Sequence, residues 1–182
     1  VTVHYIDEGI DTGDIIHQEL SEITDRDDYS SLLDRSVKLC AKLLLEALID
    51  IENDDVARTR QKDIHPVGTY YGRRVIGDEW IDWNWTSRRI FNFIRAIKTP
   101  GPCARTICGT SEVVIESASI IENAPKYLGT CGEVVGIEGN SIIVKTGDST
   151  INIQEYSIKN QDNILSQESL RKIGVRFLNQ SN

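Results

Sequence analysis

The feature that most restricts the fold is a change of texture along the chain. From Ala104 onward short β-branched runs follow one another: Val113-Val114-Ile115, Gly132-Glu133-Val134-Val135-Gly136, Ser141-Ile142-Ile143-Val144-Lys145 and Thr150-Ile151-Asn152-Ile153. Turn residues separate them at Gly109, Gly129, Glu138-Gly139-Asn140 and Gly147-Asp148. Runs this short, spaced this evenly, fit a small antiparallel barrel. Ser166-Gln167-Glu168, with Leu170 and Ile173 behind it, reads as a short closing helix.

The front of the chain has a different period. Val1-Thr2-Val3-His4-Tyr5-Ile6 alternates as a strand does, without a preceding cap, so we expect its sheet partners to come from earlier sequence. The loop Asp7-Glu8-Gly9-Ile10-Asp11-Thr12-Gly13-Asp14 and a second extended stretch, Ile15-Ile16-His17-Gln18-Glu19-Leu20, follow. Asp25, Asp27 and Asp28 then place negative charge where a helix N-terminus favours it. Apolar residues recur from Leu32 and Leu33 through Val37, Leu43, Leu44, Ala47 and Leu48 to Ile51, predicting an amphipathic helix of about 24 residues that stops near Asn53. Residues 58–80 carry no sustained period and read as an extended linker between domains at 1–57 and 81–182. Thr86 and Ser87 offer an N-cap for a helix with Ile90, Phe93, Ile94 and Ile97 on one face, which ends before Thr99-Pro100-Gly101.

With 182 residues, 40% of them hydrophobic, the chain can hold one ordinary domain or two small ones, so a disordered tail is excluded. No apolar run approaches the roughly 20 residues of a bilayer span, and no targeting segment is visible, so we expect a cytoplasmic protein without a membrane partner. The net charge of −8 argues against a general nucleic-acid binder. That charge is uneven: Trp85 onward has 11 Lys and Arg against 9 Asp and Glu, a surplus of +2, which leaves −10 on the residues before it. Cys40, Cys103, Cys108 and Cys131 show no metal-ligand spacing with one another or with His4, His17 and His65, so we expect free thiols and no metal.

The acidic loop is the most informative motif. Asp11-Thr12-Gly13 is the aspartic-protease triplet, but that chemistry needs two such aspartates, and Asp14 would crowd the pair with a further anion. Two other readings remain open. Asp11 is a carboxylate at a strand end, where open α/β sheets bind ligands, or Asp7, Asp11 and Asp14 only cap the turn through Asx hydrogen bonds. Trp83 and Trp85, with Tyr70 and Tyr71 beside Arg73 and Arg74, could line a wall for a base and its phosphates. Alternatively Trp83 packs at the domain junction and the arginines are solvated, Arg88, Arg89 and Arg95 included.

The string from Val1 to Ile16, read whole, resembles the central motif of the folate-dependent formyltransferases, of the methionyl-tRNA formyltransferase and nucleotide-sugar N-formyltransferase type. Ile81-Asp82-Trp83, with Ile90, Asn92, Ile94-Arg95-Ala96 and Pro100-Gly101-Pro102, resembles that family's junction into its C-terminal domain. The resemblance implies the C-terminal part of a Rossmann-like domain followed by an OB-like barrel. It also implies formyl transfer from 10-formyltetrahydrofolate to an amine. In that family an Asn and a His polarise the formyl carbonyl and stabilise the oxyanion, while an Asp orients the His and helps remove the amine proton. The position matching the Asp is Asp11. Ile6, Asp7 and Glu8 match the backbone that binds the pterin, and His4 matches a position occupied by His in some members. The Asn-x-His motif has no counterpart here, since His17 and His65 do not match it, so we expect a C-terminal part of a longer enzyme that is inactive alone. The small basic surplus after Trp85 favours a nucleotide-linked amino sugar as acceptor, with Tyr70, Tyr71, Arg73 and Arg74 as candidate substrate contacts, over methionyl-tRNA. A third reading makes the second half a non-catalytic binding module.

Overall fold

A computed structural model of the chain describes residues 1–159 and 166–179; residues 160–165 and 180–182 of the expected second domain lie outside the described residues. The elements run β1 (Thr2–His4), β2 (Ile15–Gln18), α1 (Tyr29–Glu52), α2 (Gln61–Ile64), α3 (Ser87–Ala96), β3 (Ala104–Cys108), β4 (Ser111–Ile120), β5 (Val134–Glu138), β6 (Ser141–Lys145), β7 (Thr150–Lys159), α4 (Gln167–Leu170) and β8 (Phe177–Leu178). They divide into two compact units, Val1–Asp27 with Ser31–Arg74, and Asp28–Ser30 with Val75–Asn182. The division falls at Arg74, inside the stretch read from sequence as linker. That stretch is not wholly extended either: α2 adds one helical turn, and Thr59 exchanges both backbone hydrogen bonds with Ile15, at 2.8 and 3.0 Å.

In the first unit β1 and β2 pair antiparallel, with Thr2 opposite Gln18, Val3 opposite His17 and an irregularity before His4. α1 forms because seven of its 24 residues are Leu and none is Gly or Pro. The loop leading into it is fixed by Asp27, whose carboxylate accepts from Thr24 N (2.8 Å), Thr24 Oγ1 (3.0 Å), Ser31 Oγ (3.1 Å) and Arg35 NH2 (2.6 Å). α1 ends where Asp54 turns left-handed, φ 54°, and Asp55 N donates to Asp50 O at 2.9 Å, a Schellman-type closure. Two side-chain contacts hold β2 and its exit against α1: His17 Nε2 to Asp50 Oδ2, and Lys42 Nζ to Glu19 Oε2, both at 2.7 Å.

The second unit is one antiparallel sheet in the order β5-β6-β7-β4-β3-β8. Its two edges meet: Glu133 bridges Arg176, Val134 N donates to Val175 O at 2.8 Å, and Gly174 N donates to Val134 O at 2.9 Å. The sheet therefore curls on itself, which removes the open strand edges that invite aggregation. Gly139, at φ 57°, supplies the left-handed residue of the two-residue turn between β5 and β6. β7 runs to Lys159, past the Thr150–Ile153 run legible in sequence, because its polar second half pairs along β4. α3 starts at the expected cap, Thr86, whose side chain accepts from Arg89 N. α4 likewise starts behind Ser166, which caps Ser169 N.

Of the two readings of Trp83, the structure supports packing and not the aromatic wall. It is 1% exposed, stacks on Phe177 at 5.5 Å, and donates from Nε1 to Thr106 Oγ1 at 2.9 Å. Its place is the barrel core, with Ile90, Ile94, Ile115 and Ile153. Among the described residues, no helix is long and apolar enough to cross a membrane.

Candidate active site

The acidic loop joins β1 to β2 and is drawn tight at its base. Tyr5 N donates to Asp14 O at 2.9 Å. Gly13 makes this approach possible, since a Cβ there would sit 1.7 Å from Tyr5 O. The three aspartates of the loop behave differently. Asp7 is the cap: its Oδ1 accepts from Thr12 Oγ1 at 2.6 Å and Gly9 N at 3.0 Å. These bonds, the Thr12 hydroxyl first, hold its carboxyl below the usual value.

Asp11 is not a cap. It sits at φ 53°, a left-handed conformation that Asp tolerates better than most residues but that still costs on the order of 1 kcal/mol. Its side chain is 87% exposed, and Oδ1 lies 3.8 Å from His4 Nε2. His4 is oriented from behind, because its Nδ1 donates to the Tyr5 carbonyl at 2.7 Å. The second ring nitrogen therefore faces Asp11. A carboxylate left open to solvent at a strand end, with an oriented imidazole behind it, can accept a proton or orient a donor brought to it.

Around this pair, Ile6 and Ile10 are 96% and 86% exposed, and neither Ile6 nor Glu8 has a backbone hydrogen-bond partner among the described residues. Sequence reasoning missed three residues that support the loop from the stretch after α1. Arg58 lies over the Tyr5 ring at 4.3 Å, Thr59 pairs with Ile15, and Gln61 Nε2 donates to both Asp11 O (2.7 Å) and Gly13 O (2.8 Å). No local pattern marks them, since each acts across more than 40 residues of sequence.

The candidate substrate contacts show no such organisation. Tyr70 and Tyr71 are 87% and 91% exposed, and Arg73 and Arg74 are exposed as well. In the second unit Arg89 covers Trp85 at 4.1 Å, while Arg88 and Arg95 flank Phe91 at 5.4 and 5.3 Å. Arg88 and Arg95 thus share one aromatic partner and Arg89 has another. A polar recess on the barrel is lined by Glu116, Gln154, Glu155, Tyr156 and Arg171, but the Arg171 guanidinium is committed to Asn140.

Both halves of the chain match one family. Residues 1–48 match formyl transferase, and residues 77–173, over half of the chain, match the formyl transferase C-terminal domain. The chain belongs to the formyl transferase family. It is 35% identical to a methionyl-tRNA formyltransferase of Fusobacterium nucleatum, over 88% of this chain and 51% of that protein. It is 32% identical to one of Pelotomaculum thermopropionicum, over 94% of this chain and 53% of the other. The chain thus spans about half the length of the curated relatives it matches. The fold is similar to that of an N-formyltransferase from Helicobacter canadensis in complex with folinic acid and dTDP-3-aminofucose, with a TM-score of 0.66, 23% identity, and coverage of 86% of this chain and 55% of that one. It is also similar to HypX from Aquifex aeolicus in complex with tetrahydrofolic acid, with a TM-score of 0.60, 20% identity, and coverage of 88% and 27%.

Proposed function

We propose that this chain serves formyl transfer from 10-formyltetrahydrofolate to the amine of methionyl-tRNA, in the cytoplasm, with Asp11 as the catalytic carboxylate. The observation that carries this reading is the 35% identity to a methionyl-tRNA formyltransferase, held along 88% of the chain. The bound folate derivative would supply the activated formyl group. The exposed apolar side chain of Ile6 and the open backbone groups of Ile6 and Glu8 suit a flat, hydrogen-bonding pterin, with Asp7 holding the loop in shape. His4 lies behind Asp11, and Asp11 takes the proton that the amine must lose.

In this reading the first unit is the C-terminal part of a Rossmann-like domain and the second an OB-like barrel. The support for the first is α1, whose Leu33, Val37, Leu44, Leu48 and Ile51 form an uncharged stripe open to solvent. That stripe fits the remainder of a formyl transferase N-terminal domain, which would also supply the Asn and His.

The support for methionyl-tRNA as acceptor is the sequence similarity to methionyl-tRNA formyltransferases; a surplus of +2 over the second half is also compatible with the three arginines carried by α3, Arg88, Arg89 and Arg95. A nucleotide-linked amino sugar is the second reading, favoured by that low overall surplus. The two separate cleanly when the full-length protein is given 10-formyltetrahydrofolate with either methionyl-tRNA or a dTDP-linked amino sugar. Formyl-methionyl-tRNA is the expected product. Transfer to the sugar alone establishes the second reading, and oligonucleotide binding indifferent to folate, with no transfer, returns the chain to a binding module.

A further inference from the structure

Transfer chemistry by a carboxylate on a solvent-exposed loop raises the question of what holds it. Among the described residues, the Asp11 carboxylate itself makes no hydrogen bond; His4 Nε2 lies 3.8 Å away. A displacement of about 1 Å at a reacting group can cost on the order of a hundredfold in rate, so the backbone beneath Asp11 must be fixed. The fixing group is Gln61. Its single amide nitrogen gives one hydrogen to Asp11 O at 2.7 Å and the other to Gly13 O at 2.8 Å, spanning the left-handed turn at Asp11. The Thr59 and Ile15 pairing brings Gln61 to the loop, and α2 begins at Gln61 itself.

We propose that Gln61 is the positioning residue of the transfer site, clamping residues 11–13 so that Asp11 presents its carboxylate in one direction. The role needs two hydrogens on one nitrogen at this reach, which Gln61 supplies. Two hydrogens sit on one uncharged nitrogen at the end of a two-methylene stem; Asn is a methylene short, Glu has acceptors where donors are required, and Leu has the size without the hydrogens. Gln61 touches neither the reacting atoms nor the acceptor in this scheme, and acts through Asp11. The proposal rests on the formyl-transfer reading.

The test compares Gln61→Leu, Gln61→Lys and Asp11→Asn in the full-length protein, with formyl transfer and amide hydrogen exchange as readouts. For Gln61→Leu we expect kcat to fall by roughly 10- to 100-fold. KM for both substrates should stay within about twofold, as expected for an interaction that serves the transition state and not ground-state binding. Backbone amides of residues 11–14 should exchange faster while the thermal midpoint stays in place, and Gln61→Lys, which restores donors at similar reach, should recover part of kcat. A Gln61→Leu variant with wild-type kcat and loop protection, beside an inactive Asp11→Asn, overturns the proposal and leaves the formyl-transfer reading standing. An Asp11→Asn variant with wild-type turnover removes the role of Asp11 and this proposal with it, whereas absence of formyl transfer by the wild type removes the formyl-transfer reading itself.

Discussion

The two units of this chain bury their apolar residues to very different extents. In the barrel unit, among the described residues, seventeen buried apolar residues form one cluster, with Ile81, Ile90, Ile115, Ile142, Ile151 and Ile153 at 1% exposure or less. In the front unit, among the described residues, the buried apolar side chains are Ile15, Leu43 and Ala47. α1 alone leaves more large apolar side chains in solvent than that unit buries. Each fully buried Ile or Leu stabilises by roughly 1.5–3 kcal/mol, so the barrel has ample reason to fold by itself and the front unit does not. The barrel closes over its core, whereas the front unit carries an acidic loop and leaves one apolar face of α1 in solvent.

The largest test of this contrast is to express residues 75–182 and residues 1–74 separately. The first should show a cooperative thermal transition by circular dichroism, and the second none; a cooperative melt of 1–74 alone would end the comparison. Next in size, Ile153→Ala should cost about 2–5 kcal/mol in urea unfolding, the usual range for a cavity in a closed core.

Acid should act on the front unit through Asp27. The Thr24 N–H is the main cause that brings its carboxyl down from 3.8 to about 2. A lowered folded value means stabilisation that is present above 3.8 and lost as the pH falls through about 2. The α1 helical signal of the wild type should therefore weaken over that window, while Asp27→Asn starts weaker at neutral pH and changes less across it. Asp148 gives the barrel counterpart. Burial pushes its carboxyl up, but hydrogen bonds from Ser87 N, the Thr146 hydroxyl and the Ser87 hydroxyl outweigh this and hold it low, so that contribution also fades as pH falls below the ordinary carboxylate range. The smallest effect belongs to Leu48→Ala: at 55% exposure it should change the stability of this chain by less than about 0.5 kcal/mol. A loss near that of Ile153→Ala would mean that the α1 stripe is already covered.

What the sequence made legible follows the same division. α1 spans 24 residues, Tyr29–Glu52, as its long amphipathic period requires, and Thr86 and Ser166 cap the helices they precede. These are local signals, carried by residues within a few positions of one another. A small barrel was legible from the spacing of its runs, but the residues that close it were not, because Val175 and Arg176 carry no strand pattern of their own and find their partners about 40 residues earlier in the chain. Trp83 had two readings in sequence, because a Trp near a linker reads the same whether its ring faces a ligand or a core; its burial against Phe177 agrees with the one in which it packs within the protein. In the loop, Asp7 and Asp11 are indistinguishable by type, and only the Thr12 and Gly9 bonds show which one is a cap. Gln61 lies 50 residues from Asp11, in a polar stretch without period, and only the folded chain joins them.

The most direct test of the central claim is the rate of formyl transfer from 10-formyltetrahydrofolate to methionyl-tRNA by the full-length protein carrying Asp11→Asn. Asn keeps the size of the side chain and tolerates the left-handed backbone while removing the charge. The account predicts a fall in kcat of about a hundredfold or more with the melting midpoint unchanged. Turnover near that of the wild type would contradict it.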